Sequence, residues 1–192
     1  MRLLRQARQA HDLLGRGVLM HPTLETERLR LRPFRLDDAE AMFAGWTGDD
    51  EVTKYLTWPT HKSVEDTKAL LARWVAEYER PERLNFAIVL KEEEKLIGGI
   101  DVVRYEDGCP VLGYNLSRPY WGRGVMTEAC RRLLDYLFSQ GYAEVRIAAM
   151  VENVGSRRVI EKCGGEYVDT VEDYLPLKDR TVKINRYVFR AK

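Results

Sequence analysis

The chain has 192 residues, enough for one domain with a substantial core, and its 45% hydrophobic and 32% charged residues are the balance of an ordinary globular protein. With 31 basic and 30 acidic residues the formal net charge is +1, so no bulk field points to nucleic acid or an anionic membrane. Three scattered cysteines (Cys109, Cys130, Cys163) without a Cys-x-x-Cys pair argue against a disulfide framework or a metal site and for a reducing cytoplasm, and no apolar run reaches the roughly 18 residues of a membrane span.

In chain order, residues 1–20 come first as a basic leader, with Arg2, Arg5, Arg8 and Arg16 against Asp12 and leucines at helical spacing. A docking helix or transit sequence is one reading. An upstream translation start ahead of Met20 is the favoured one, with residues 21–192 as the domain. Residues 23–34 alternate Leu24, Leu29, Leu31 and Pro33 with Arg28, Arg30 and Arg32, which predicts one half-buried strand. Asp37 and Asp38 open a helix through Trp46, and residues 48–51 read as a loop. Ser63 and Asp66 mark the start of a second helix, over residues 67–78 and closed by Pro81. Strands follow at 85–90, 95–105 and 109–116, the last two joined by a turn ending in Asp107-Gly108. A helix over 127–140 ends at Gly141, a strand covers 144–151, and Asn153 caps a helix that closes at Gly164-Gly165. Residues 167–175 and 181–190 form a last hairpin.

The segment Tyr120-Trp121-Gly122-Arg123-Gly124-Val125-Met126-Thr127-Glu128-Ala129 joins a strand to a helix. The first amides of a helix lack internal acceptors and sit at the positive end of its dipole. Gly122 and Gly124 remove side-chain bulk, Arg123 adds a cation, and Thr127 adds a hydroxyl, so the segment is suited to a diphosphate. A lone Gly-x-Gly is about as often only a tight connection. A dinucleotide fingerprint fits poorly, because the third glycine is missing and the segment follows a meander, and no lysine stands where a nucleotide-triphosphate loop needs one.

Three separated segments resemble the GNAT superfamily of acetyl-CoA-dependent N-acetyltransferases, and within it the RimJ/RimL-like branch that acetylates ribosomal-protein N-termini. They are Leu24-Glu25-Thr26-Glu27-Arg28-Leu29-Arg30-Leu31-Arg32-Pro33, then Leu112-Gly113-Tyr114-Asn115-Leu116 through Ala129, then Glu152-Asn153-Val154-Gly155-Ser156-Arg157-Arg158 through Gly164. The resemblance implies a single α/β domain: a mixed, strongly twisted sheet of about seven strands, splayed between its fourth (111–116) and fifth (144–151), with about four helices. It implies acetyl-CoA as cosubstrate and no metal. The pantetheine arm would meet Asn115, Leu116, Ser117, Asn153 and Ser156. The pyrophosphate would be held by Gly122, Arg123, Gly124, Val125, Met126 and Thr127. The chain departs from the family pattern at Trp121, Met126 and Gly165, and at Val111, where relatives often carry an acid.

The implied activity is acetyl transfer to a primary amine by direct attack in a ternary complex, with a protein N-terminal α-amine the favoured acceptor. A polyamine, amino acid or aminoglycoside acceptor, or an acyl-CoA-binding module without turnover, are the alternatives. Either a monomer or a homodimer fits. Ser156 is expected to protonate the departing thiolate, though a helix-start serine bonded to local backbone is nearly as good a reading. Glu172 and Asp173 are candidate bases, because the last hairpin should border the acceptor cleft; a solvated charged turn is the plainer reading of both.

Overall fold

The computed structural model describes residues 21–80 and 82–191; the basic leader and Pro81 lie outside them. Eight strands form one sheet: β1 (Leu24–Glu25), β2 (Leu29–Pro33), β3 (Asn85–Leu90), β4 (Lys95–Glu106), β5 (Cys109–Leu116), β6 (Glu144–Met150), β7 (Glu166–Leu175) and β8 (Arg180–Arg190). Their order is β1-β2-β3-β4-β5-β6-β8-β7. All neighbours are antiparallel except β5 and β6, which are parallel and joined by a crossover helix. The helices are α1 (Ala39–Met42), α2 (Asp50–Thr53), α3 (Val64–Ala76), α4 (Val125–Ser139) and α5 (Val154–Lys162).

The sheet is covered on both faces, and β3 shows why: all six of its residues are buried, and they alternate between two cores. Phe86 and Ile88 join a core with Ala129, Leu133 and Leu137 of α4 and Ile160 of α5. Ala87 and Val89 join the opposite core, with Met42 of α1, Trp46 and Leu71 of α3. The apolar stripe of α4 repeats at 129, 130, 133, 134 and 137, the spacing of one helical face, and every one of those residues is buried. At the start of α3 the Asp66 carboxylate accepts from the amides of Lys62 and Ser63 (2.9 and 3.1 Å), so Ser63 and Asp66 do mark that helix start.

Three expectations change in detail. The single strand expected over residues 23–34 is two strands. Thr26 turns the chain between them, its amide donating to Leu29 O at 2.9 Å, which raises the count from about seven to eight. The helix expected through Trp46 is α for only one turn and then widens into a π-type turn, Phe43–Thr47. That turn carries Trp46 and Thr47 into the interior, where the Thr47 hydroxyl meets that of Thr67 at 2.8 Å. The loop expected at residues 48–51 contains the start of α2, because the Asp49 carboxylate accepts from Glu51 N at 2.9 Å and caps a short helix.

Candidate active site

Strands β5 and β6 run together for only two residue pairs, Val111 with Arg146 and Leu112 with Ile147. Beyond them the strands part, while β5 stays paired to β4 as far as Leu116. The parting opens a cavity of about 1220 Å³, walled by Gly113, Tyr114 and Asn115 on one side and Ala148, Ala149 and Met150 on the other. Asn153 and Ser156 close one end. Phe34, Trp58 and Trp74 also line it, the Phe34 and Trp74 rings packing 5.2 Å apart.

Just past the end of β5 the amide of Ser117 donates to Ile97 O (2.8 Å), towards β4. Backbone groups alternate along a strand, so the amide of Leu116 points the other way, into the gap. The Leu116 carbonyl accepts from the Trp121 indole at 2.7 Å, which fixes the end of the strand against the following turn. Asn115 lines the gap, and its Oδ1 is buried without a hydrogen-bond partner among the described residues. Ser117 is buried beside it.

In the turn before α4 both glycines are left-handed, Gly122 at φ 73° and Gly124 at φ 75°. Gly124 is the N-cap and brings no side-chain cap, so the amides of Val125, Met126 and Thr127 open the helix with no intrahelical acceptor. Val125 and Met126 are buried by their side chains, whereas Gly122 and Arg123 are exposed. The Arg123 guanidinium lies over the Tyr120 ring at 5.3 Å. The helix start is tied down by Glu128. Its carboxylate accepts from the Thr26 hydroxyl (2.6 Å), the Arg28 amide (3.1 Å) and Arg28 Nε (2.7 Å), and these bonds hold it below the usual carboxylate range against the opposing effect of burial. A second cavity of about 570 Å³ flanks this turn, with Thr127 in its wall and both cations (Arg28, Arg131, Arg132, Lys162) and carboxylates (Glu25, Glu27, Glu128, Asp135) around it.

Asn153 caps α5, its Oδ1 accepting from Ser156 N at 3.1 Å. The Ser156 hydroxyl faces the cavity and lies 2.9 Å from the Tyr114 hydroxyl. Burial pushes the Tyr114 phenol above its ordinary range, although the bond to Ser156 pulls the other way, so at neutral pH it holds its proton. The parting thus brings together Asn115, Leu116, Asn153 and Ser156, while residues 122–127 form a separate turn at the start of α4. Of the hairpin acids, Asp173 lines the cavity and Glu172 does not. Successive residues of a strand face opposite ways, which separates the two.

The sequence reading missed Asp101 and Asn85, which pair across β3 and β4 and both line the cavity. Burial pushes the Asp101 carboxyl up to about 7, against the opposing pull of Arg83. Asn85 is 2% exposed, and its Nδ2 has no partner among the described residues. The available signal was a lone carboxylate inside the apolar run Leu96-Ile97-Gly98-Gly99-Ile100-Asp101-Val102-Val103. Among the described residues no group of three or more His, Cys, Asp or Glu side chains is placed to hold a metal. No helix among them is long and apolar enough to cross a membrane.

Residues 28–166 match the family model for the acetyltransferase (GNAT) domain. The chain belongs to the GNAT acetyltransferase family. As a GNAT protein it is an N-acetyltransferase, and the parted strands with a glycine turn at the next helix are the family frame expected from its three sequence segments. It is 32% identical over 172 residues to the protein named Uncharacterized N-acetyltransferase p20 of Bacillus licheniformis, covering 87% of this chain and 94% of that one. Among solved structures, the RimL ribosomal L7/L12 alpha-N-protein acetyltransferase in complex with coenzyme A superposes with a TM-score of 0.76 at 17% identity, over 88% of this chain and 98% of that one. The Microcin C7 self immunity acetyltransferase MccE in complex with acetyl-CoA and AMP gives a TM-score of 0.77 at 18% identity, over 86% and 94%. At these identities the two structures share the fold with this GNAT chain.

Proposed function

We propose that this GNAT protein transfers an acetyl group from acetyl-CoA to a primary amine, with a protein N-terminal α-amine as the favoured acceptor. The observation that carries the reading is the parting of β5 from β6 after Leu112, which leaves unpaired backbone and the buried Asn115 Oδ1 facing a cavity. A pantetheine arm carries amide donors and acceptors along an extended chain, and both unmet needs fit it. When bound, acetyl-CoA supplies the activated acyl group as a thioester.

The chain's own groups take the remaining roles. The amides at Gly122 to Thr127 and the Arg123 guanidinium bind the pyrophosphate. The Leu116 amide orients and polarises the acyl carbonyl. The Ser156 hydroxyl, backed by Tyr114 at 2.9 Å, holds the proton needed by the departing sulfur. Asp173 stands at the cavity as a carboxylate that attracts a cationic acceptor.

The cavity, about 1220 Å³, exceeds the ~300–1,000 Å³ of ordinary small-ligand sites, leaving room for a peptide end beside the pantetheine arm. The RimL neighbour, by its name an α-N-protein acetyltransferase, supports the same acceptor and the RimJ/RimL-like branch. A small-molecule amine is the second reading, supported by the aromatic side chains of Phe34, Trp58 and Trp74 in the cavity wall and by the MccE neighbour solved with acetyl-CoA and AMP. The free thiols of Cys109, Cys130 and Cys163 favour a cytoplasmic setting. A screen for acetyl-CoA-dependent thiol release over N-terminal peptides and small amines tests the reading. Peptide turnover at a kcat/KM at least tenfold above any polyamine, amino acid or aminoglycoside is expected; the reverse order would replace the favoured acceptor with the second.

A further inference from the structure

Amine acetylation starts from an ammonium ion, which has no lone pair until a base removes a proton. Such a base must reach the cavity, lie beside the place where the acyl carbon sits, and be able to hold a proton near neutral pH. Asp173 meets the first condition but is exposed at the surface, and Glu172 does not line the cavity.

Asp101 meets the first and the third, and its register sets it at the head of the parting, three residues along β5 from the Leu116 amide. It pairs with Gly113, the first residue of β5 beyond the last β5–β6 pair, Leu112 with Ile147. It therefore stands where the two strands begin to separate. Gly113 makes the room: a Cβ at that position would lie 3.4 Å from Asp101 Oδ1 and 2.6 Å from Val103 Cγ1. The carboxylate accepts no hydrogen bond and joins no ion pair among the described residues, although it lines the cavity. The residue is half-buried, so the carboxylate is free to meet water or a cation in the cavity.

Resting on the acetyl-transfer reading above, we propose that Asp101 is the catalytic base, and that the acceptor ammonium docks against its carboxylate at the mouth of the β5–β6 parting. One N–H bond of the ammonium breaks and the proton passes to an Asp101 oxygen, leaving the lone pair on nitrogen. The nitrogen forms the C–N bond to the acetyl carbon, the C–S bond breaks, and its electron pair leaves on sulfur. The second N–H proton, lost as the amide forms, passes through water in the cavity to the Ser156–Tyr114 pair and replaces the proton that those hydroxyls give to sulfur. Asp101 returns its own proton to water in the open cavity, so each turnover releases one proton.

The charged and titratable groups around this carboxylate come from every neighbouring element. Arg83 and the Tyr78 hydroxyl lie on the segment before β3, and Arg73 faces the same cavity from α3. Asp173 faces it from β7, and Asp38, paired with Arg32 at 2.7 Å, lies beyond Tyr78. Of these, Arg83 is the opposing charge that acts on Asp101, and it keeps the ionised form accessible at neutral pH.

The test uses the full chain, the isosteric variant D101N, and as probes alanyl and seryl tetrapeptides with free N-termini, glycinamide and putrescine. The expected result is a fall in kcat/KM of about 10²- to 10³-fold for whichever probe the wild type acetylates best. Acetyl-CoA binding by calorimetry should stay within about twofold, and the wild-type ionisation near pH 7 should vanish from the kcat/KM profile. Wild-type turnover matched by D101N would overturn the role of Asp101 and leave the acetyl-transfer reading standing. So would a pH limb that survives in D101N, or a loss that falls on Asp173→Asn instead. A wild type that binds no acetyl-CoA and turns over no probe would overturn the acetyl-transfer reading itself, and Asp101 with it.

Discussion

A carboxyl that titrates near 7 makes the folded protein a function of pH in a calculable direction. An unfolded aspartate loses its proton near pH 4, whereas folded Asp101 loses it at about 7. Between those values the native state holds a proton that the unfolded state has given up, so stability is full at the acid end of that window and falls as pH rises through about 7. Replacing Asp101 with asparagine removes this cost. The variant should be more stable than the wild type at pH 8 by about 1–3 kcal/mol, a figure discounted because the carboxyl keeps some contact with the cavity, and equal to it near pH 4. Thermal melts at the two pH values check it, and a D101N chain destabilised at pH 8 would refute the sign. A residue that costs stability and is nonetheless present fits a functional site.

The hydroxyl pair gives a second test at the same scale. Ser156→Ala should lower kcat by about tenfold or more with the KM for acetyl-CoA little changed, and Tyr114→Phe should lower it less. The double variant should be no worse than the product of the two and is expected to be milder, because the hydroxyls share one bond. Unchanged kcat in folded Ser156→Ala would leave that serine as a helix-start residue bonded to its surroundings.

At the scale of elements, the turn before α4 depends on backbone shape more than on side chains. Gly124 occupies a left-handed conformation, and a Cβ there meets only Arg28 Nη2 at 3.7 Å, so the obstacle to an alanine is conformational and not steric. Gly124→Ala should cost about 1 kcal/mol in stability. It should also raise the KM for acetyl-CoA by about tenfold, because the amides proposed to hold the pyrophosphate shift with the cap. A chemical melt and a steady-state titration separate the two effects; a stability loss with no change in KM would detach the turn from cofactor binding. The β1–β2 turn and α4 behave as one unit, since Glu128 binds Thr26 and Arg28 across a separation of about a hundred residues.

For the whole molecule, the sheet is continuous along β4–β5 and interrupted along β5–β6, so a ligand seated in the interruption should brace the two halves against each other. Acetyl-CoA at about a hundred times its Kd should add roughly 2.7 kcal/mol, which for a chain of this length is about 5–10 °C in Tm. Coenzyme A should give most of that shift, since the acetyl group adds few contacts. A scan showing no shift with either ligand would contradict the cavity as the cofactor site.

Much of this was legible in the amino-acid order, for local reasons. Alternation along residues 29–33, the Asp107-Gly108 turn, the Ser63–Asp66 capping pattern and the apolar stripe of α4 are each fixed by residues close in sequence, and Asn153 caps α5 as its position indicates. The paired glycines before α4 were likewise readable, because left-handed backbone favours glycine wherever it occurs. Long-range contacts decided the rest. The turn that divides β1 from β2 is held by a glutamate in α4, and the tyrosine that backs Ser156 comes from β5, 42 residues earlier in the chain. The last hairpin supplied two acids of equal standing in sequence, and strand alternation turned only Asp173 to the cavity. Asp101 looked like an isolated acid in an apolar strand. Only the sheet placed it opposite Gly113 at the point where β5 leaves β6, and burial there lifts its carboxyl into the range where it can exchange a proton with an amine.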